Sequence, residues 1–307
     1  MTIQQSNRRY EGKFDWTEDE IRSRIGASTM ALLYGKFNEP LGARHIARWR
    51  ELGITKIELL NSYDPHNYKQ IKEIAIESRN QGVEIVSVHS SGGKFSSAYD
   101  DGTSEQERRA AVEKAIVEGE AVLSIGATIL VCHFGTTDFS EKSVHELLDY
   151  FKGTPLKLGA ENVGGAVSSL KDSDDLRDYM AFVDRINSDQ LGMVVDIGHA
   201  RDPDGINPFI KEGAAYEAIN LCGQRVIHLH LHDVVADGTK RDYNRDDHLS
   251  PMDGDVRWLE IFSALRKIQY KGALMFESLI TDKNQGVLEK IAAFPQNLMH
   301  RYNIRSK

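Results

Sequence analysis

Eight short apolar runs, each followed by a longer amphipathic stretch, constrain the fold of this 307-residue chain more than any other feature. The runs are 24–30 (RIGASTM), 56–62 (KIELLNS), 84–90 (EIVSVHS), 128–134 (TILVCHF), 157–163 (KLGAENV), 191–198 (LGMVVDIG), 225–233 (RVIHLHLHD) and 273–279 (ALMFESL). Most are rich in Ile, Val, Leu or Phe, and all have strand length. Helical periodicity fills the gaps over 41–52, where Pro40 suits a helix start, and over 66–80, 104–124, 143–151, 173–186, 208–222, 256–268 and 285–300. Eight strand–helix repeats predict an α/β fold, the single-domain (β/α)8 TIM barrel, over residues 23–303. Residues 1–22 are expected to form a charged N-terminal arm or cap. A doubly wound sheet with fewer strands is the structural rival.

The placement of polar residues favours the barrel, because catalytic groups of TIM barrels gather at the C-terminal ends of the strands. The third run ends in His89 and the fourth in His133. The fifth ends in Glu161, followed by Asn162. The sixth supplies Asp196 and then His199, and the seventh His228, His230 and His232. The next loop carries Asp246 and His248, and the eighth run ends in Glu277. A buried, unpaired carboxylate is strongly unfavourable. Any one of these residues could be a core ion pair or a rim side chain. Three acids on three strands, with histidines on their neighbours, point instead to a cation that offsets the negative charge.

Strand alternation separates the residues of the seventh run. Val226, His228, His230 and His232 share one face, and Ile227, Leu229 and Leu231 the other. The leucine face is expected to pack on helices, leaving the histidines to look into the barrel. His228, the deepest, reads as a satisfied core histidine, His230 as the metal ligand and His232 as a substrate contact. Cys132 points away from His133 and reads as a core residue. Gly92-Gly93 is a candidate anion-approaching loop beside Lys94, and 172–175 a solvated helix start.

Composition narrows the class. Forty per cent hydrophobic residues suffice for a sizeable core. A net charge of -8 and a pI near 5.8 give no global attraction to a phosphate backbone, so a nucleic-acid partner is not expected. The two cysteines, Cys132 and Cys222, form no CxxC pair, which fits a reducing, cytoplasmic setting. The N-terminal residues lack the apolar core of a signal peptide, and no run reaches membrane-spanning length, so no membrane association is expected.

The motifs IVSVHSSGG, ILVCHFG, LGAENVGG, VVDIGHA, HLHLHD, DDHLSPMDGDVRW and MFES, in that order at the strand ends, resemble the xylose isomerase-like TIM barrels. Within them the chain resembles the sugar phosphate isomerase/epimerase group, which shares its domain with apurinic endonucleases. The resemblance implies one divalent ion (Mn, Mg, Co or Zn) held by Glu161, Asp196, His230 and Glu277. It also implies a small-molecule sugar or keto-sugar substrate, and proton transfer beside a carbonyl with Glu161 and Glu277 as the catalytic bases. His199 matches a position that contacts substrate oxygens. His89, His133 and His232 are further substrate contacts where such enzymes retain them.

The endonuclease branch instead implies three zinc ions. Its additional ligands would fall on His89, His133, His199, Asp246 and His248. Against that branch, the fourth-strand motif reads HFG where the endonucleases have HPG. ENVGG lacks their small-polar continuation, DIGH replaces their DT-containing strand, and no basic-aromatic cluster is evident. Two further alternatives are a metal-dependent dehydratase or lyase that begins with the same proton abstraction, and a non-catalytic sugar-binding barrel. Barrels of this group often dimerise, which makes a homo-oligomer an expectation without an assignable interface.

Overall fold

The computed structural model describes residues 14–29, 42–60, 68–90, 104–162, 176–200, 202, 206–235, 248–279 and 286–302. Eight parallel strands close into a barrel in chain order. They are β1 Ile25–Ser28, β2 Lys56–Leu60, β3 Glu84–His89, β4 Ile129–Cys132, β5 Lys157–Glu161, β6 Leu191–Asp196, β7 Val226–Leu231 and β8 Leu274–Phe276. β8 pairs back onto β1, with Met275 opposite Gly26. That pairing leaves no sheet edge and excludes the open, doubly wound rival. Every predicted run holds a strand, and every strand ends before its run does. The polar residues sit at or just beyond the strand ends: His89, Glu161 and Asp196 close β3, β5 and β6, while His133, His232 and Glu277 directly follow β4, β7 and β8.

A helix follows each strand: α2 Ala43–Glu51, α3 Tyr68–Asn80, α4 Glu105–Ser124, α5 Asp138–Tyr150, α6 Leu176–Ile186, α7 Ala214–Cys222, α8 Trp258–Lys267 and α9 Val287–Arg301. Two departures from expectation have local causes. α5 begins five residues earlier than its apolar pattern, because the Thr137 hydroxyl accepts from the Ser140 backbone N–H and caps the helix at Asp138. The stretch 208–222 splits into a 3-10 turn, Pro208–Ile210, and α7, because Gly213 adopts a left-handed conformation (φ 78°) between them.

A short helix, α1 Glu18–Arg22, precedes β1 and lies at the N-terminal end of the barrel. Trp16, just before it, is 3% exposed. Its indole N–H donates to the Phe262 carbonyl at 2.8 Å. The guanidinium groups of Arg24 and Arg266 lie 4.8 and 4.3 Å from the centre of its ring. Arg266 is in turn held by Glu20 at 2.6 Å. Trp16→Ala should therefore lower unfolding stability by about 3–5 kcal/mol, read as a shift in the urea midpoint. Trp16→Phe, which keeps the ring and loses the N–H donor, should cost about 1–2 kcal/mol. Among the described residues no helix is long and apolar enough to cross a membrane.

Candidate active site at the C-terminal mouth of the barrel

Register and alternation aim one residue from each of several strands at the same point. Asp196 of β6 lies opposite His230 of β7, and His230 lies opposite Met275, two residues before Glu277. Glu161, Asp196, His230 and Glu277 consequently offer ligand atoms that all lie within 4.8 Å of one another, and all four residues are buried. His230 is the hub. Its Nδ1 stands 2.8 Å from Glu161 Oε1, 3.1 Å from Glu277 Oε2 and 3.9 Å from Asp196 Oδ2.

Asp196 has two oxygens in different circumstances. Oδ1 accepts from the backbone N–H groups of Gly198 (2.8 Å) and His199 (2.7 Å) and lies 3.0 Å from His232 Nε2. Oδ2 is left facing the cluster. The strand end is tied to its neighbour by Asn162, whose amide accepts from Asp196 N–H at 2.9 Å and donates to the Asp196 carbonyl at 2.8 Å. Gly198 is required by close approach: a Cβ there would lie 1.7 Å from His232 Cε1.

Two groups flank this quartet. On one side His89, His133 and Glu161 converge: both Nε2 atoms lie 3.0–3.1 Å from Glu161 Oε2 and 3.2 Å from each other. His89 Nδ1 lies 2.9 Å from the Ser90 carbonyl, which can only accept, so that nitrogen carries a proton and Nε2 faces the carboxylate. Burial alone would lower the His89 pKa. Its hydrogen bond to Glu161 and the charges of Glu161, Glu277 and Glu58 outweigh that and hold it at about 9.

On the other side lie Asp196, His199, His232 and His248. His232 accepts from His248 N–H at Nδ1 (2.8 Å), so its proton sits on Nε2 and points at Asp196. With both nitrogens engaged and the ring fully buried, His232 orients Asp196; the expected substrate contact has no free atom to use. His248 stacks on His232 at 4.2 Å and has a left-handed backbone (φ 57°), a strained conformation of the sort that collects at functional sites. Burial lowers the His199 pKa, and its buried Nδ1 has no hydrogen-bond partner, 3.6 Å from Asp196 Oδ2. Asp246, Gly92-Gly93, Lys94 and 172–175 lie outside the described residues.

The floor of the site holds a group that sequence reasoning missed. Glu58 of β2 is fully buried beneath His230 and lies 3.0 Å from His228 Nε2. His228 is a satisfied core histidine, bonded to Glu58 and 3.2 Å from Ser87 Oγ. Cys132 is buried, and burial pushes its thiol pKa well up, so it is no nucleophile.

The donor set suits a divalent cation. Four buried carboxylates (Glu58, Glu161, Asp196 and Glu277) crowd a few imidazoles. Protons fit this arrangement poorly: Glu161 Oε2 faces two imidazole nitrogens that also face each other, and His199 Nδ1 has nothing to bond. Carboxylate and imidazole together are the usual ligands of Mn, Co and Zn.

A closed eight-stranded parallel barrel with acids and imidazoles at its strand ends is the architecture of TIM-barrel enzymes. The chain belongs to the xylose isomerase-like TIM barrel family, whose model matches residues 46–296. It is 25% identical over 229 residues, 70% of either chain, to an uncharacterized protein of Methanocaldococcus jannaschii. The D-psicose 3-epimerase of Clostridium cellulolyticum, solved with D-tagatose, superimposes with a TM-score of 0.68 at 16% identity, covering 92% of this chain and 99% of that one. A family 2 AP endonuclease of Brucella melitensis gives 0.63 at 18% identity, covering 91% and 99%.

Proposed function

We propose that the protein is a divalent-metal-dependent sugar isomerase or epimerase acting on the carbon beside a carbonyl. The observation that carries this reading is the convergence of Glu161 and Glu277, from β5 and β8, on one buried point that Asp196 and His230 complete. A cation held by these four would polarise a substrate carbonyl and make the adjacent proton acidic. Glu161 and Glu277 approach that position from different strands, so one carboxylate can remove the proton and the other return it. His199, at the edge of the cluster, would bind a substrate oxygen. Family membership and the shared fold with a ketose epimerase agree with this chemistry.

The test is exchange of solvent deuterium into a panel of ketoses and keto-glycosides, with metal content measured on the same protein. Incorporation of one deuteron beside the carbonyl, with an unchanged carbon skeleton and mass otherwise, is the expected result. Activity in metal-free protein, or no exchange into any ketose, would sink the reading. Loss of water or an aglycone after exchange would move it to a dehydratase or lyase, since both reactions share the first proton abstraction.

Metal binding should depend on pH in a defined direction. In the metal-free protein His89 keeps its proton up to about pH 9. Where the ion also recruits His89, as in the His89–His133–Glu161 set, ligation requires the bare nitrogen, so binding of Zn2+ at pH 7.5 should release at least one proton, and affinity should rise with pH until about 9. Calorimetry in buffers of different ionisation enthalpy measures the release directly. A proton count of zero would show that His89 takes no part in binding the ion.

A second reading, a multinuclear zinc phosphodiesterase, is favoured by the two flanking groups. The His89–His133–Glu161 set and the Asp196–His199–His248 set share their acids with the central quartet. Nicking of a duplex with one abasic site, lost in His89→Ala and His133→Ala, would establish it over the first.

A further inference from the structure

Resting on the metal centre proposed above, we infer that Glu58 is a positioning residue that fixes which nitrogen His230 presents to the cluster. His230 has carboxylates at both ends of its ring. Nδ1 faces Glu161 and Glu277, while Nε2 lies 3.1 Å from Glu58 Oε1 and 3.2 Å from Glu58 Oε2. A neutral imidazole has one proton to give. If that proton were on Nδ1, the Nε2 lone pair would face both oxygens of a buried carboxylate with nothing between them. If it is on Nε2, it bonds to Glu58 and leaves the Nδ1 lone pair pointing at Glu161, Asp196 and Glu277. Only the second arrangement makes His230 a ligand.

Glu58 is equipped for this task. It is fully buried on β2 and groups with His228 and His230 rather than with Glu161, Asp196 and Glu277. Oε2 accepts from the Ser87 hydroxyl at 2.8 Å and lies 3.0 Å from His228 Nε2. Those two contacts, from β3 and β7, pin the carboxylate. Oε1 has no hydrogen-bond partner of good geometry and lies against His230 Nε2 alone. The carboxylate also strengthens the imidazole as a donor by supplying negative charge to its far nitrogen. Partners of this kind are worth about 10–100-fold in metal affinity.

The experiment is carried out on the full chain with Zn2+ as the probe. In zinc-loaded wild type, long-range proton–nitrogen correlation of the histidine rings should show His230 protonated at Nε2 and bare at Nδ1. The opposite tautomer overturns the inference and leaves the metal reading standing. Glu58→Met, of similar size but without an acceptor, should weaken Zn2+ binding about 10–100-fold in competition with a chromophoric chelator. Glu58→Gln, whose amide oxygen still accepts from Nε2, should restore part of the loss. Wild-type affinity in a folded Glu58→Met protein overturns the inference. If Glu58→Met does not fold, the wild-type tautomer decides alone. Wild-type protein that takes up no Zn2+ overturns the metal reading itself, and this role with it.

Discussion

Glu161→Gln is expected to reduce turnover about 10³-fold or more, in line with the loss of a general base, while leaving the barrel folded. Glu161 is the one carboxylate shared by the central quartet and the His89–His133 pair. Oε1 meets His230 and Oε2 meets both other imidazoles. A neutral amide cannot serve as a base, and its NH2 group would aim a donor into a space built for an acceptor. Bound metal should therefore fall together with activity. Glu277→Gln should also lose turnover, but it leaves the His89–His133–Glu161 set intact and should retain more metal. Steady-state rates and metal stoichiometry by mass spectrometry separate the two variants. Stability of the metal-free protein should fall too. Burial alone would raise the Glu161 carboxyl pKa, but the His230 and His133 imidazoles outweigh it and hold it well below the usual range, so the Gln variant leaves buried imidazoles without their counter-charge and should melt lower. A Glu161→Gln protein with wild-type turnover would dismiss the assignment of this residue.

Asp233→Ala should be the most destabilising single change near the site, on the order of 4 kcal/mol, because it orphans several buried donors at once. The carboxylate accepts from the backbone N–H groups of Val234 and Val256 at 3.0 Å and of Met252 at 2.9 Å, and from the Trp258 indole at 3.1 Å. Backbone bonds to Leu249 in both directions complete the tie. Asp233 thus folds the segment 248–258 against the end of β7. Met252 and His248 hold left-handed backbones within it, a strain the carboxylate helps to offset. Without Asp233 the His248 N–H would drift from His232, and His232 from Asp196. Differential scanning calorimetry should show a melting temperature lower by about 8 °C or more. Asp233→Asn, which keeps one acceptor oxygen, should show about half the loss. An unchanged melting temperature in Asp233→Ala would mean the segment is held by Leu249 and Trp258 packing alone.

Which parts of this site could be read from residues alone follows from how local each signal is. Alternation along β7 put His228, His230 and His232 on one face, and all three are buried, because strand geometry depends only on neighbouring residues. Glu161, Asp196 and Glu277 stood out as acids closing apolar runs. Glu58 carries the same signal, an acid inside KIELL, yet it sits mid-strand, and attention to strand ends passes over it. Asn162, Gly198 and Asp233 were not legible in their roles. Each acts through a partner 25–34 positions away: Asn162 on Asp196, Gly198 beside His232 and Asp233 on Trp258. The early start of α5 was missed because it rests on a hydroxyl cap, which leaves no trace in apolar spacing.

The polar floor of Glu58, Ser87 and His228 bears on how such a barrel can change over generations. Each member satisfies the others, so any one replaced by an apolar residue strands its partners in a dry interior. Replaced together by well-packed apolar side chains, they could vanish at modest cost. Drift at these positions is therefore expected in correlated steps, and a descendant that lost the acid and imidazole cluster above would shed the trio as a block.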